Sequence, residues 1–170
     1  MKYVNEATMH TQDCCFQNKI GQRFRLRAAG IIIEDDCVLV ATNEIEKYYY
    51  SIGGAILLGE TAEDAVLREV LEETGIPYEI ERLAFIHENF FKRNDGMLKG
   101  LTCHEITFYF LMKPKGNQAL NSNSYTNGVR EILKWIPIKE LNEYEVYPTF
   151  FKEKLTKLPP YIEHITTMQS

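Results

Sequence analysis

The sequence predicts an α+β domain, a layered α/β/α sandwich with a mixed β-sheet between helices. Three observations predict it. Strand-like segments lie on both sides of one strongly helical segment, Thr61 to Thr74, and a second helical segment closes the chain. No internal repeat or linker divides the 170 residues, a length that suits one domain. The composition, 45% apolar and 25% charged, is enough for a core without disulfides or a structural metal. It excludes disorder, collagen and coiled coil as readings of the whole chain. Residues 1–20 are polar and aperiodic, so they read as an N-terminal arm or tail, and residues 21–170 as the single domain.

The elements follow in order. Arg25 to Glu34 reads as a strand whose run Ala28-Ala29-Gly30-Ile31-Ile32-Ile33 suits burial on both faces. Asp35-Asp36 is a turn signal, which makes Cys37 to Ala41 the return strand of a hairpin. Lys47 to Ser51 is aromatic and strand-like, and Gly53-Gly54 then breaks the pattern. Thr61 caps the helix, with Asp64 where a capping box prefers Glu, and Gly75 and Pro77 end it. Ile80 to Phe91 and Leu101 to Lys113 alternate as long strands joined by the polar segment 92–100. Residues 115–128 form a loop by composition, either a functional lid or a mobile segment. Glu131 to Pro137 is a last strand, and Tyr147 to Leu158 a final helix stopped by Pro159-Pro160.

The chemistry is concentrated between Gly54 and Ile76. At about 100° per residue, Glu69, Glu72 and Glu73 fall on one side of the helix, with the small Ala62 and Ala65 one and two turns earlier. Leu67, Val70 and Leu71 occupy a separate arc and supply the packing face. Like charges at i, i+3 and i+4 destabilise a helix, and near its C-terminal half the macrodipole disfavours them further. Arg68 pairs with Glu72 at i+4 but cannot neutralise three carboxylates. The arrangement is either a solvated acidic face or a site for a hard divalent cation, Mg²⁺ or Mn²⁺. Gly53-Gly54 precede a short apolar strand and Gly59-Glu60 precede the helix cap, positions where glycine lets backbone come close to a ligand.

Gly54, Glu60, Arg68, Glu69, Val70, Glu72, Glu73, Gly75 and Ile76 stand at the spacing G-x5-E-x7-R-E-U-x-E-E-x-G-U, with U apolar. The stretch resembles the signature of the Nudix hydrolases at every position. The chance of such a match is on the order of 10⁻⁷ to 10⁻⁶, given residue frequencies of about 7%. The order of elements over about residues 24–160 is also similar to that family's fold. Two family tendencies are absent: Ile52 stands where Pro is frequent before the glycine pair, and Leu57 where a further Glu is common. The second removes one carboxylate.

The resemblance implies metal-dependent hydrolysis of the pyrophosphate bond in a nucleoside diphosphate linked to another group. That substrate class spans nucleotide sugars, ADP-ribose, dinucleoside polyphosphates and nucleoside triphosphates. By the same resemblance, Glu69, Glu72 and Glu73 are metal ligands, with a backbone carbonyl of Gly53 or Gly54 as a further one, and Arg68 orients the carboxylates. Glu60 lies near the metals or holds the loop. Glu105 is the candidate general base, ahead of Glu88. Arg23, Arg25 and Arg27 alternate along a strand edge, either as a solvated face or to meet phosphate; Arg27 is the first choice for substrate contact. His87 and His104 are phosphate contacts or satisfied structural histidines. Tyr48-Tyr49-Tyr50, Phe90-Phe91 and Trp135 are core packing or a stacking platform. Loops 92–100 and 115–128 are expected to flank the pocket.

Other classes lose weight. A net charge of −5 disfavours a nucleic-acid partner. The longest apolar stretch, Ala28 to Ile33, falls far short of the roughly 20 residues of a membrane span. No signal peptide is readable, and Cys14, Cys15, Cys37 and Cys103 lack zinc or redox spacing, so a cytoplasmic protein with reduced thiols is expected. A non-catalytic nucleotide-binding module on the same fold would be expected to lose box glutamates. An isoprenyl diphosphate isomerase would need a catalytic Cys and another metal set. A homodimer remains open.

Overall fold

The computed structural model describes residues 12–45, 47–92, 99–122, 125–126 and 129–168. Eleven strands are β1 (Cys15–Gln17), β2 (Gln22–Ile31), β3 (Ile33–Glu34), β4 (Cys37–Asn43), β5 (Tyr49–Ala55), β6 (Ile80–Lys92), β7 (Thr102–Met112), β8 (Tyr125–Thr126), β9 (Val129–Pro137), β10 (Val146–Tyr147) and β11 (Glu163–Met168). The helices are α1 (Ala62–Thr74) and the short α2 (Phe151–Lys154), with a 3-10 segment at Ile138–Glu143.

The strand order is β11-β6-β7-β2-β5-β4-β9-β8. β2 lies parallel to β7 and antiparallel to β5, so the sheet is mixed. Alternation along β2 divides the core into two layers. Ala28 and Ile32 face α1 through Val66 and Val70. Ala29 and Ile31 face the opposite layer, where Leu141 of the 3-10 segment and Phe151 of α2 pack. This is the α/β/α sandwich that the element order predicts.

The hairpin turns at Asp35-Asp36, both at positive φ, with Glu34 paired to Cys37. Thr61 caps α1, its hydroxyl accepting from the Asp64 N–H at 3.1 Å and donating to the Asp64 carboxylate at 2.8 Å. Gly75 closes α1 in the left-handed conformation, its N–H bonded to the Leu71 carbonyl.

Five expectations need correction. The buried face of α1 is Ala65, Val66, Val70, Glu73 and Thr74, while Leu67 and Leu71 are 37% and 46% exposed. The helix presents its small residues and carboxylates to the sheet because glycines stand opposite Val70 and Glu69. A Cβ on Gly30 would meet Val70, and one on Gly54 would meet Glu69. Second, β5 does not break at Gly53-Gly54 but runs through them to Ala55. Third, β2 is interior, so the arginines do not sit on a sheet edge. Fourth, the final helix shrinks to Phe151–Lys154, because Tyr147 precedes Pro148 and pairs with Tyr50 as β10. Fifth, Glu131 to Pro137 is not the last strand; β10 and β11 follow it, and β11 pairs in parallel with β6. The polar, half-buried alternation Glu163-His164-Ile165-Thr166-Thr167-Met168 gives β11 a weak signal.

Residues 12–17 are wedged between β2 and the segment after β5. The Cys14 N–H donates to the Ile56 carbonyl, the Leu26 N–H to the Cys14 carbonyl, and the Leu58 N–H to the Gln12 carbonyl. The cysteines are free thiols. No helix among the described residues is long and apolar enough to cross a membrane.

Candidate active site

A cavity of about 420 Å³ opens where β5 and β2 meet the acid-bearing face of α1. Arg27, Gly54, Arg68, Glu69, Glu73 and Glu105 all line it. Glu60, Glu72 and Glu88 do not.

Gly53 anchors the geometry. Its φ of 139° is open to glycine alone, and a Cβ there would lie 2.5 Å from Ala29 Cα. This close approach turns the Gly53 N–H onto Glu73 Oε1 at 2.9 Å, while the Gly53 carbonyl accepts from Arg27 Nη2 at 3.0 Å. Of the two carbonyls expected as a further ligand, Gly53 or Gly54, that of Gly53 is therefore engaged by Arg27. Glu73 Oε2 is buried with no hydrogen-bond partner among the described residues. Burial, then Glu131, pushes the Glu73 carboxyl well above the ordinary range, against the Gly53 N–H. Burial also raises Glu69, although Arg68 opposes it.

Arg68 organises the rest. Nε and Nη2 grip the Glu60 carboxylate at 2.8 and 3.0 Å, Nη1 reaches Glu69 at 2.7 Å and Glu72 at 3.4 Å, and Nη2 also donates to the Ala55 carbonyl. Glu60 in turn accepts from the Leu57 N–H at 2.9 Å. Glu60 thus holds Arg68 and the loop from behind. Glu72 stands at the rim, its side chain 58% exposed.

These residues fit a divalent cation. Carboxylate oxygens are hard donors, Glu73 carries an orphaned buried oxygen, and Glu69 fills the space that a Cβ on Gly54 would take. Among the described residues no three acidic, histidine or cysteine side chains converge into a finished coordination sphere.

On the β7 side, Glu105 lies opposite Arg25 in register and His87 opposite Thr107. Glu105 Oε2 is 3.9 Å from Arg23 and 4.0 Å from Arg25. His87 is 4% exposed, bonded to Thr167, and pulled down to about 4 by burial. Glu88 faces away, bonded to His104 at 3.2 Å, and His104 stacks on Phe90.

Sequence reasoning missed Glu131. It is 6% exposed, lines the cavity and accepts from the Tyr50 hydroxyl at 3.1 Å. Its signal was the alternation Glu131, Leu133, Trp135, which puts the carboxylate on the inward face of β9. It also missed Asp13, which the arm brings to the cavity beside Leu57. Trp135 donates to the Gln118 carbonyl and is a packing residue. The described part of the 115–128 loop, residues 115–122, packs on Glu34 and the end of α1 rather than lining the cavity. Residues 93–98 of the other loop lie outside the described residues.

A mixed sheet between helices, with an acid-bearing helix facing a glycine pair across a cavity, defines a class, and the comparisons agree on it. The sequence matches the NUDIX domain over residues 24–156. A MutT-like protein of Streptomyces ambofaciens is 28% identical over 137 residues, 79% of each chain. A MutT mutator protein from Bacillus halodurans superposes with a TM-score of 0.59 at 18% identity, covering 85% of this chain and 90% of that one. A MutT NUDIX hydrolase from Burkholderia pseudomallei gives 0.51 at 21% identity, over 68% and 84%. The chain belongs to the Nudix family of pyrophosphohydrolases.

Proposed function

We propose that the protein hydrolyses the pyrophosphate bond of a nucleoside diphosphate derivative at this cavity, with Mg²⁺ or Mn²⁺. The observation that supports this most is the Glu73 carboxylate, buried with one oxygen bonded to the Gly53 N–H and the other unpartnered. A buried carboxylate costs free energy unless a cation meets it. Glu69 and Glu73 are the principal ligands, and Glu72 reaches in from the rim. A metal bound there would offset the charge of the pyrophosphate oxygens.

The chain's own residues do the rest. Arg68, locked by Glu60, fixes the direction of Glu69. Arg27 holds the carbonyl of Gly53, the residue whose N–H orients Glu73. Water adds to one phosphorus, the bridging P–O bond breaks, and the water's proton passes to a cavity carboxylate. Glu105 and Glu131 are the cavity carboxylates outside α1 suited to accept it. Glu105→Gln and Glu131→Gln separate them: the acceptor's variant loses at least about 10²-fold in kcat.

The test is a hydrolysis screen over nucleoside diphosphate derivatives with Mg²⁺ or Mn²⁺, with Glu73→Gln alongside. Metal-dependent turnover that the variant loses is the expected result. Absence of turnover over a broad panel overturns the reading.

A further inference from the structure

The β7 side of the cavity gathers three arginines whose hydrogen bonds are incomplete. Arg23, Arg25 and Arg27 point to one face of β2, because alternate residues of a strand share a face. Glu105 is the carboxylate set among them, and at 3.9 and 4.0 Å from Arg23 and Arg25 it is beyond hydrogen-bond reach. Asp13 of the arm is the next acid on this side. His87 from β6 adds no charge at neutral pH. Arg27 is also attracted by Glu73 and Glu69, which leaves Glu105 and Asp13 to Arg23 and Arg25.

Their hydrogen bonds are also incomplete. Arg23 Nη1, Arg25 Nε and Arg27 Nε are sealed from solvent and have no partner among the described residues. Sealed donors on a charged group are costly, and such groups are normally satisfied. Burial, and Arg27 beside it, pull Arg25 down to about 10. An anion entering the cavity would meet Arg25 and Arg27, which line it.

The sheet order gives the site a direction. Tyr50 and Gly53 line the cavity from β5, Arg25 and Arg27 from β2, and Glu105 from β7. We propose that Arg25 and Arg27, backed by Arg23, form an anion subsite for a phosphoryl group beyond the pyrophosphate at the carboxylates. The preferred substrate class is then a nucleoside carrying three or more phosphates rather than a nucleotide sugar. Guanidinium forks pair with charged phosphate oxygens in charge-assisted, bidentate bonds, whereas a sugar hydroxyl offers them only a neutral acceptor. The inference rests on reading the cavity as the hydrolytic site.

Arg25 is the residue to change, because Arg27 also holds the Gly53 carbonyl. Two readouts apply to full-length wild type, Arg25→Gln and Arg25→Lys, each checked for folding by its unfolding transition. The first is kcat/KM for nucleoside triphosphates against nucleotide sugars. Wild type favours the triphosphates, and Arg25→Gln reduces that ratio by about tenfold or more. The second uses inorganic tripolyphosphate in EDTA, without metal or turnover. Tripolyphosphate raises the Tm of wild type, raises that of Arg25→Lys less, and leaves Arg25→Gln unmoved. Equal losses on both substrates, or an equal Tm shift in wild type and Arg25→Gln, overturn the subsite. If nothing is hydrolysed but the tripolyphosphate shift depends on Arg25, the subsite stands and the hydrolytic reading falls.

Discussion

Replacing Gly54 by alanine separates the carboxylate geometry from the fold. An ideal Cβ at Gly54 lies 2.5 Å from Cδ and from both oxygens of Glu69, and its three nearest neighbours all belong to that one side chain. The added methyl therefore expels the end of a flexible side chain and leaves the sheet in place. Alanine also restricts the unfolded chain, worth about 0.4–1 kcal/mol in favour of folding. Against this stands a weakened Arg68–Glu69 contact, while the paired hydrogen bonds from Arg68 to Glu60 survive. The net change in stability is within about 1 kcal/mol. Activity behaves differently. Displacing a metal-directed carboxylate by about 1 Å costs on the order of 10²-fold. Gly53→Ala is the contrast. Its φ is 139° and the new Cβ would lie 2.5 Å from Ala29 Cα, part of a strand that cannot swing away. Backbone strain of about 1–3 kcal/mol and overpacking of about 1–3 kcal/mol add up to a severe loss for a domain worth about 5–15 kcal/mol. Urea unfolding and turnover on the same preparations decide the matter. A Gly54→Ala protein with wild-type turnover, or one as destabilised as Gly53→Ala, would refute the reasoning.

Glu73→Gln keeps an acceptor for the Gly53 N–H and removes a carboxyl that burial holds well above its usual range. Without metal, the variant should unfold at or above the wild-type Tm; with millimolar Mn²⁺ wild type should gain stability and the variant should not. His87 should destabilise the wild type as pH falls. The unfolded imidazole takes its proton near 6.5 and the folded one only near 4. The unfolded state therefore binds more protons in that window, and wild type loses about 3 kcal/mol relative to His87→Gln between pH 6.5 and 4. Parallel stability curves for the two proteins would count against it. Thr61→Ala removes the cap on the Asp64 N–H and should cost about 1 kcal/mol, read as a Tm drop of about 2–4 °C.

How much of this was legible depended on whether the signal was local. The cap, the left-handed Gly75 and the Asp35-Asp36 hairpin are set by a few neighbouring residues, and the chain shows each of them. The Arg68 clamp on Glu60 and Glu69 was legible because fixed spacing on one helix and its leading loop brings those groups together. Glu131 was harder. It lies 58 residues after Glu73, and only the pairing of β9 with β4 brings it to the site. The final helix failed through a local rule given too little weight, the bias that Pro148 places on Tyr147.

The misplaced face of α1 shows how a pattern can hold the right residues and the wrong partner. Leu67 and Leu71 are the largest aliphatic side chains on the helix, and apolar area alone would turn them inward. Burial, however, is decided by what stands opposite. The sheet offers Gly30 and Gly54, so the closest approach goes to the stripe carrying Ala65, Val66, Val70 and the carboxylates of Glu69 and Glu73. A leucine on that stripe would fill the space that the Glu69 carboxylate now occupies. The glycines in β2 and β5 thus sacrifice strand packing to bring two acids against the sheet, and half-exposed leucines on the outer face are the consequence. The same geometry explains the arginines. β2 is interior, so its alternate residues must face either α1 or the opposite side of the sheet, and neither position is solvent. Arg25 and Arg27 are therefore half-buried along the cavity rather than displayed on an open face. Charge kept in such a place, with hydrogen-bond donors to spare, is what distinguishes the β7 end of the cavity from a solvated basic face.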